Sequence, residues 1–464
     1  MLKDKLISKL NIVSFFVVFS TVWMIVMSIL VPVSQTPDEY MHFSGMMKAF
    51  GTTEYIGEIE NEMYSEAGLS DFNTAPDKRV DSEKYIDAGM KKFDNSLKLS
   101  DFHLSLAAIK YLPAAIGFYL GALIRLPKLI CLQIAELFSC IFFIVLGAIS
   151  LKIAPYKKEV FLFTLLMPMT IQQCSSINPD VIVISCSVLM TALILNMKHR
   201  EEKVTWKDVI VLGLLLLAIY VAKMIYVPII LTVLIVPFDK YYLPIGKDKD
   251  LVPVLRKFRW VILGLLIVIV GLFLFITRND YFFKVLYACM LQPGRTLLIF
   301  KSTLAGLYYF YVQTFVGCFG WLDLFVSNLY IIIFFIMMFY INLFLKKNEL
   351  DIYKKLRIRD RILMLVIAAA IFVLVFISMV SWSFELEGFS KNVDIATIRG
   401  QLYQISLMLG VQGRYFIPIL PMALISLGPG NELTNKKTYY GLQGAFYIYT
   451  IIYVIKMISF RYWG

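Results

Sequence analysis

NIVSFFVVFSTVWMIVMSILVPVSQTPDEYMH (11–42) joins an apolar run to a sudden cluster of charge. Its first twenty-odd residues suffice to cross the roughly 30 Å of bilayer hydrocarbon as a helix. The run is too long and too bulky for a cleaved signal peptide, and no small-x-small site follows it. Lys3, Lys5 and Lys9 precede it, which sets the N-terminus in the cytoplasm. Similar runs recur at 260–276 and 361–380. Mean hydropathy is +0.73, with 59% hydrophobic and 17% charged residues among 464. Soluble domains rarely reach such values. The fold class is therefore all-α and polytopic, a single integral membrane domain over 1–464.

Composition also excludes. A net charge of +12 could suit nucleic acid, but the basic residues fall in short loops between apolar runs, where orientation explains them. The six cysteines are scattered, with no C-x-x-C pair, so zinc and redox chemistry find no support. No P-loop or G-x-G-x-x-G is present.

Loop charge sorts the two sides of the membrane. Segments 151–158, 198–208, 239–259 and 346–361 are basic and read as cytoplasmic. Segment 33–127 opens with Asp38 and Glu39 and is acidic as far as Asp101, so it reads as extracytoplasmic, as do 278–324 and 384–413. Parity then demotes 104–124 to helices lying on or dipping into the outer leaflet. It also splits 209–237 into two short passes that turn at Lys223. About eleven crossings result: 12–32, 128–150, 159–173, 179–197, 209–222, 225–237, 260–277, 325–345, 361–383, 414–428 and 439–459. No internal repeat of the kind found in many transporters is visible.

Four motifs carry chemistry. In TPDEYMH (36–42), Thr36, Pro37 and Glu39 have the spacing of a capping box, which predicts a helix start. Asp38 and His42 would share a face of that helix, and a carboxylate there can serve as general base. Both readings stand. In SSINPD (175–180), Asn178 and Asp180 suit a helix cap and lie on the same side as Asp38. Lys223 is a lone cation in an apolar run: either a snorkelling lysine at a helix break or a holder of lipid phosphate. Arg414, at an outer span start, wants a partner, either a phosphate or Glu385 or Glu387. Trp321 and Asp323 in CFGWLD mark another outer edge, where tryptophan is common and can also stack on a sugar.

The order of these motifs, PDEYMH, NPD, GWLD and QGRYFIPILP, resembles a bacterial family of multi-pass membrane proteins catalogued as a domain of unknown function. That family in turn resembles the GT-C glycosyltransferases, including protein mannosyltransferases and aminoarabinose transferases. The resemblance implies a GT-C-like bundle in the bacterial cytoplasmic membrane, with an extracytoplasmic active site and juxtamembrane helices in its first outer loop. It implies transfer of a sugar from a polyprenyl-phosphate donor to a cell-envelope glycan or lipid-linked acceptor. Asp38 would be the base with Glu39 beside it; His42, Asn178, Asp180, Lys223, Trp321, Asp323 and Arg414 would bind substrate. The Asp-x-Asp of metal-dependent members is absent, which favours no metal and no other cofactor. A non-catalytic envelope scaffold or an exporter is the alternative. Convergence of Asp38, Asp180, Lys223 and Arg414 on one outer cavity would favour the enzyme.

Overall fold

The computed structural model describes residues 11–69, 79–94, 105–245, 249–257, 277 and 279–464, and these are mostly helical. Seven helices among them are long and apolar enough to cross a membrane. All but the last residue of the expected crossing at 260–277 lies outside the described residues. Helix α1 (Ile12–Leu30) is capped by Asn11, whose side chain accepts from the Ser14 N–H. A short helix α2 (Glu39–Phe50) follows. After the rest of the outer loop come a 3₁₀ turn (Leu106–Tyr111) and α3 (Leu112–Leu123). The long α4 (Lys128–Ile153) then runs antiparallel to α1.

Helix α3 packs beside one half of α4. Phe16 of α1 packs on Phe143 of α4, and the Ser28 hydroxyl donates to the Glu136 carboxylate. The C-terminal end of α1 is thus level with the N-terminal half of α4. Gly117 of α3 faces that same level: a Cβ there would lie 2.4 Å from the Ile134 carbonyl oxygen, so only glycine allows the contact. Helix α3 therefore flanks the N-terminal half of α4 and does not run its length. Leu106–Leu123 is nonetheless one of the seven apolar stretches. Its exposed Leu112, Ile116, Leu120 and Leu123 suit contact with lipid.

Two broken helices, α5 (Lys158–Leu165) and α6 (Pro168–Cys174), lead to the buried α7 (Asp180–His199). Next, α8 (Trp206–Lys223) and a 3₁₀ helix (Met224–Ile235) form one 30-residue apolar stretch. They are not collinear. Val204 pairs with Tyr241, and the Trp206 indole donates to the Pro244 carbonyl, so the two ends meet. The chain reverses at Lys223, whose φ of −154° and ψ of 99° break the helix. Eighteen α-helical residues rise about 27 Å. Twelve 3₁₀ residues at about 2 Å each reach about 24 Å, so the shorter arm matches the longer.

The remainder includes α9 (Pro293–Val316), α10 (Asn328–Leu343), α11 (Ile358–Ser378), a 3₁₀ segment (Gly413–Ile419) continuing into α12 (Leu420–Leu427), and α13 (Lys436–Tyr462). A Cβ on Gly413 would fall 2.0 Å from the Tyr311 carbonyl oxygen, so the 3₁₀ segment lies directly against α9. The only strands among the described residues form three two-stranded pairs.

The expected capping box at 36–42 is not formed. The α2 helix begins at Glu39, and Asp38 precedes it in the left-handed region (φ 68°) without a side-chain cap bond. Glu39 faces inward instead: its carboxylate accepts from the Ile177 N–H at 2.8 Å.

Candidate functional site

Asp38, His42, Asn178, Asp180, Lys223 and Arg414 meet at one corner of the bundle. Arg414 is buried and donates through Nη2 to Asp38 Oδ2 and through Nη1 to Gln173 Oε1, each at 2.6 Å. Gln173 Oε1 also accepts from Asn178 Nδ2 at 2.9 Å, and Asn178 Oδ1 accepts from the Asp180 N–H at 2.9 Å. Asp180 in turn pairs with Lys223 at 2.5 Å. The Lys223 ammonium lies 4.6 Å from the centre of the Tyr415 ring. Four separate parts of the chain, around residues 38, 173–180, 223 and 414, are tied into one polar chain.

Local structure explains the placement. The Gly413 N–H donates to Thr314 Oγ1 at 2.7 Å, which seats the turn that carries Arg414. The Tyr226 hydroxyl bonds the Tyr415 carbonyl at 2.6 Å and anchors the other side of that turn. Asparagine at 178 bridges the backbone of Asp180 as an Asx turn. Asp38 sits in a backbone region disfavoured for residues other than glycine, though aspartate tolerates it better than most. Such strain concentrates at functional positions.

His42 stands among these charges, and its Nδ1 is 3.2 Å from the Tyr111 hydroxyl. Burial lowers its pKa to about 4, with the Lys223 charge acting the same way. It is therefore neutral at physiological pH and able to exchange a proton. Asp38 keeps 46% of its side chain exposed, and its Oδ1 has no partner among the described residues. Arg414 Nε and Gln173 Nε2 are likewise unbonded.

Other expected site residues behave differently. Glu39 is 2% exposed and bonds Glu136 as well as Ile177, so it does not stand beside Asp38 facing solvent. Burial raises its pKa to about 7. Two carboxylates in contact away from water favour holding one proton between them. Asp323 pairs with Arg461 at 2.8 Å, outside the cluster. Trp321 donates to the Ser34 carbonyl at 3.1 Å and braces the approach to Asp38. Arg414 has Asp38 as its partner; Glu385, one of the two acids expected for it, pairs with Lys391 at 2.8 Å. Glu58, Glu62 and Asp94 could surround a cation, but the Lys128 ammonium already lies 2.8 Å from Glu62 and 3.5 Å from Glu58.

A shallow cleft lined by Lys110, Tyr111, Ser139 and Asn178 among others adjoins the cluster, with no room inside it for a water-sized sphere. The charges converge as expected; a cavity of sugar-phosphate size does not accompany this cleft.

The motifs that build the corner lie between Asp38 and Arg414, and the sequence model of one family, described as "Predicted membrane protein (DUF2142)", matches residues 19–423. The chain belongs to that family. No curated protein and no solved structure matches it.

Sequence reasoning missed Gln173, Tyr111 and Glu136. Glu136 carried a usable signal: an acid inside an apolar run is a functional candidate on the same ground as Lys223. Gln173 carried none, because an amide beside a helix end resembles any other polar residue.

Proposed function

We propose that the protein is a glycosyltransferase of the cytoplasmic membrane, crossing it about eleven times and acting at its outer face. The donor would be a sugar on a polyprenyl phosphate, and the acceptor a cell-envelope glycan. One observation carries this reading. Asp38, His42, Asp180, Lys223 and Arg414, drawn from four parts of the chain, share one buried corner. Helix capping alone gives no reason for such convergence.

In this mechanism Asp38 Oδ1 accepts the proton of an acceptor hydroxyl. The freed oxygen attacks the anomeric carbon from the face opposite the phosphate, and the carbon–oxygen bond to phosphate breaks with its electron pair leaving on phosphate. Configuration inverts. Arg414 acts as a positioning residue, because its guanidinium fixes Oδ2 and turns Oδ1 toward solvent. Proton acceptance by such a group contributes about 10²–10⁴-fold to rate. The narrow cleft implies that substrate entry moves the 106–123 segment or the turn before α2.

The scaffold reading draws on one fact: both carboxylates are already paired with cations. The deciding experiment compares envelope glycans by mass spectrometry in a deletion strain carrying wild-type protein or Asp38→Asn at equal level. A sugar restored by wild type and absent with Asp38→Asn is the expected result. Full restoration by the variant would sink the enzyme reading.

A further inference from the structure

The turn that joins α1 to α2 does not hold itself. Ser34 and Asp38, which bracket it, both sit in the left-handed region, with φ of 66° and 68°. Residues other than glycine persist there only where their surroundings over-determine the backbone. The turn is also buried from Val31 to Pro37, so its polar groups need protein partners in place of water.

Those partners are aromatic side chains from four places in the chain. The Trp463 indole donates to the Leu30 carbonyl at 2.7 Å. The Val33 N–H donates to the Tyr85 hydroxyl at 3.2 Å. The Trp321 indole donates to the Ser34 carbonyl at 3.1 Å, and the Ser34 and Tyr64 hydroxyls bond each other. Two of these supports also brace one another. The Trp463 and Tyr85 rings meet edge to face, with centres 5.9 Å apart, and the Val80 N–H donates to the Tyr462 carbonyl at 2.9 Å. The end of α13 and the helix Ser82–Gly89 thus close together on the backbone that follows α1. Tyrosine and tryptophan suit the task, since each offers a rigid ring and one polar tip.

We propose that Trp463 and Tyr85 form a clasp on the 30–33 backbone and act as positioning residues for Asp38. The proposal rests on the glycosyltransferase reading for its purpose, because Asp38 is the base there. Arg414 fixes the Asp38 side chain; the clasp fixes the backbone behind it. Trp463 stands outside residues 19–423, the stretch that the family model matches.

The test is hydrogen–deuterium exchange of the purified full chain in nanodiscs, comparing wild type with Trp463→Phe and Tyr85→Phe. Each variant keeps a ring and loses one polar tip. Exchange over 31–42 is expected to quicken about tenfold, as befits a buried bond left unmade, with no change around Lys157. Labelling of Asp38 by a water-soluble carbodiimide and glycine ethyl ester is expected to rise toward that of a fully exposed carboxylate, at unchanged melting temperature. A merely structural role would not move that labelling. Unchanged exchange and labelling in both variants overturns the proposal, as does faster exchange spread equally to the Lys157 end. Glycans left intact in variants whose Asp38 labelling has risen overturn the positioning role. The enzyme reading fails separately, by intact glycans with Asp38→Asn, while exchange still decides the clasp.

Discussion

The protein buries charge at both ends of its bundle, and the two ends are built differently. At one end Lys157 is 1% exposed. Its ammonium donates to the Asn342 carbonyl at 2.5 Å, to Asn342 Oδ1 at 2.8 Å and to the Pro429 carbonyl at 3.3 Å. Arg361 donates to the carbonyls of Ser426 and Gly428, and the Tyr353 hydroxyl to those of Ile425 and Gly428. These are the orphan carbonyls that close α12, so the cations both satisfy them and oppose the helix dipole. These donors are spent on backbone carbonyls and on the Asn342 side-chain oxygen. At the other end Arg414 and Lys223 bond carboxylates, of which Asp38 reaches solvent, and among the described residues Asp38 Oδ1 and Arg414 Nε keep unspent capacity. Charge that closes a helix is structure; charge left with spare valence at a membrane edge is where chemistry can occur.

That contrast can be broken by experiment. The largest effect is expected at the Asp38 end: Asp38→Asn should lower the proposed glycan transfer by about 100-fold or more with little change in melting temperature, since its side chain is half exposed. At the Lys157 end the pattern should reverse. Lys157→Met should cost about 3 kcal/mol of stability in detergent melts, with transfer per folded molecule unchanged. If both variants lose stability and activity together, the two ends are not functionally distinct.

A pH series sharpens the comparison further. Glu39 has a folded pKa raised from 4.5 to about 7, so the folded state holds a proton that the unfolded chain has released between these values. Its contribution to stability is full below about pH 4.5 and is lost as pH rises through 7. Wild type should therefore melt at lower temperature at pH 8 than at pH 5.5, relative to Glu39→Gln, which should flatten that difference. A slope unchanged by Glu39→Gln would remove the carboxylate pair as its source. The smallest effect on transfer is expected at Asp323→Asn, which should leave it intact because Arg461 stands apart from the cluster, while breaking this largely buried pair costs about 3 kcal/mol of stability.

Much of this arrangement was legible from residues. Loop charge placed the reversal at Lys223, and the meeting of Val204 with Tyr241 agrees with it. An outer arginine asked for a partner and has one. The identity of that partner was hidden, because Asp38 and Arg414 are 376 positions apart and only tertiary packing joins them. The capping box misled for a related reason. Thr36-Pro37-Asp38-Glu39 satisfies the local rule, but Glu39 gains the Ile177 N–H and Glu136 by turning inward, and the helix starts after Asp38 instead. A pattern four residues long cannot report a competitor contributed by another helix.

The missing side chain at Gly413 works as a mechanical stop. Ordinary contact for a Cβ begins near 3.4 Å, and one placed here would stand 2.0 Å from the Tyr311 oxygen. Any larger residue must therefore push the turn more than about 1 Å from α9. The adjoining Arg414–Asp38 contact is 2.6 Å, and a displacement of about 1 Å carries it beyond hydrogen-bond length. A single methyl group, added where no charge is present, would loosen the carboxylate that the chemistry needs held still.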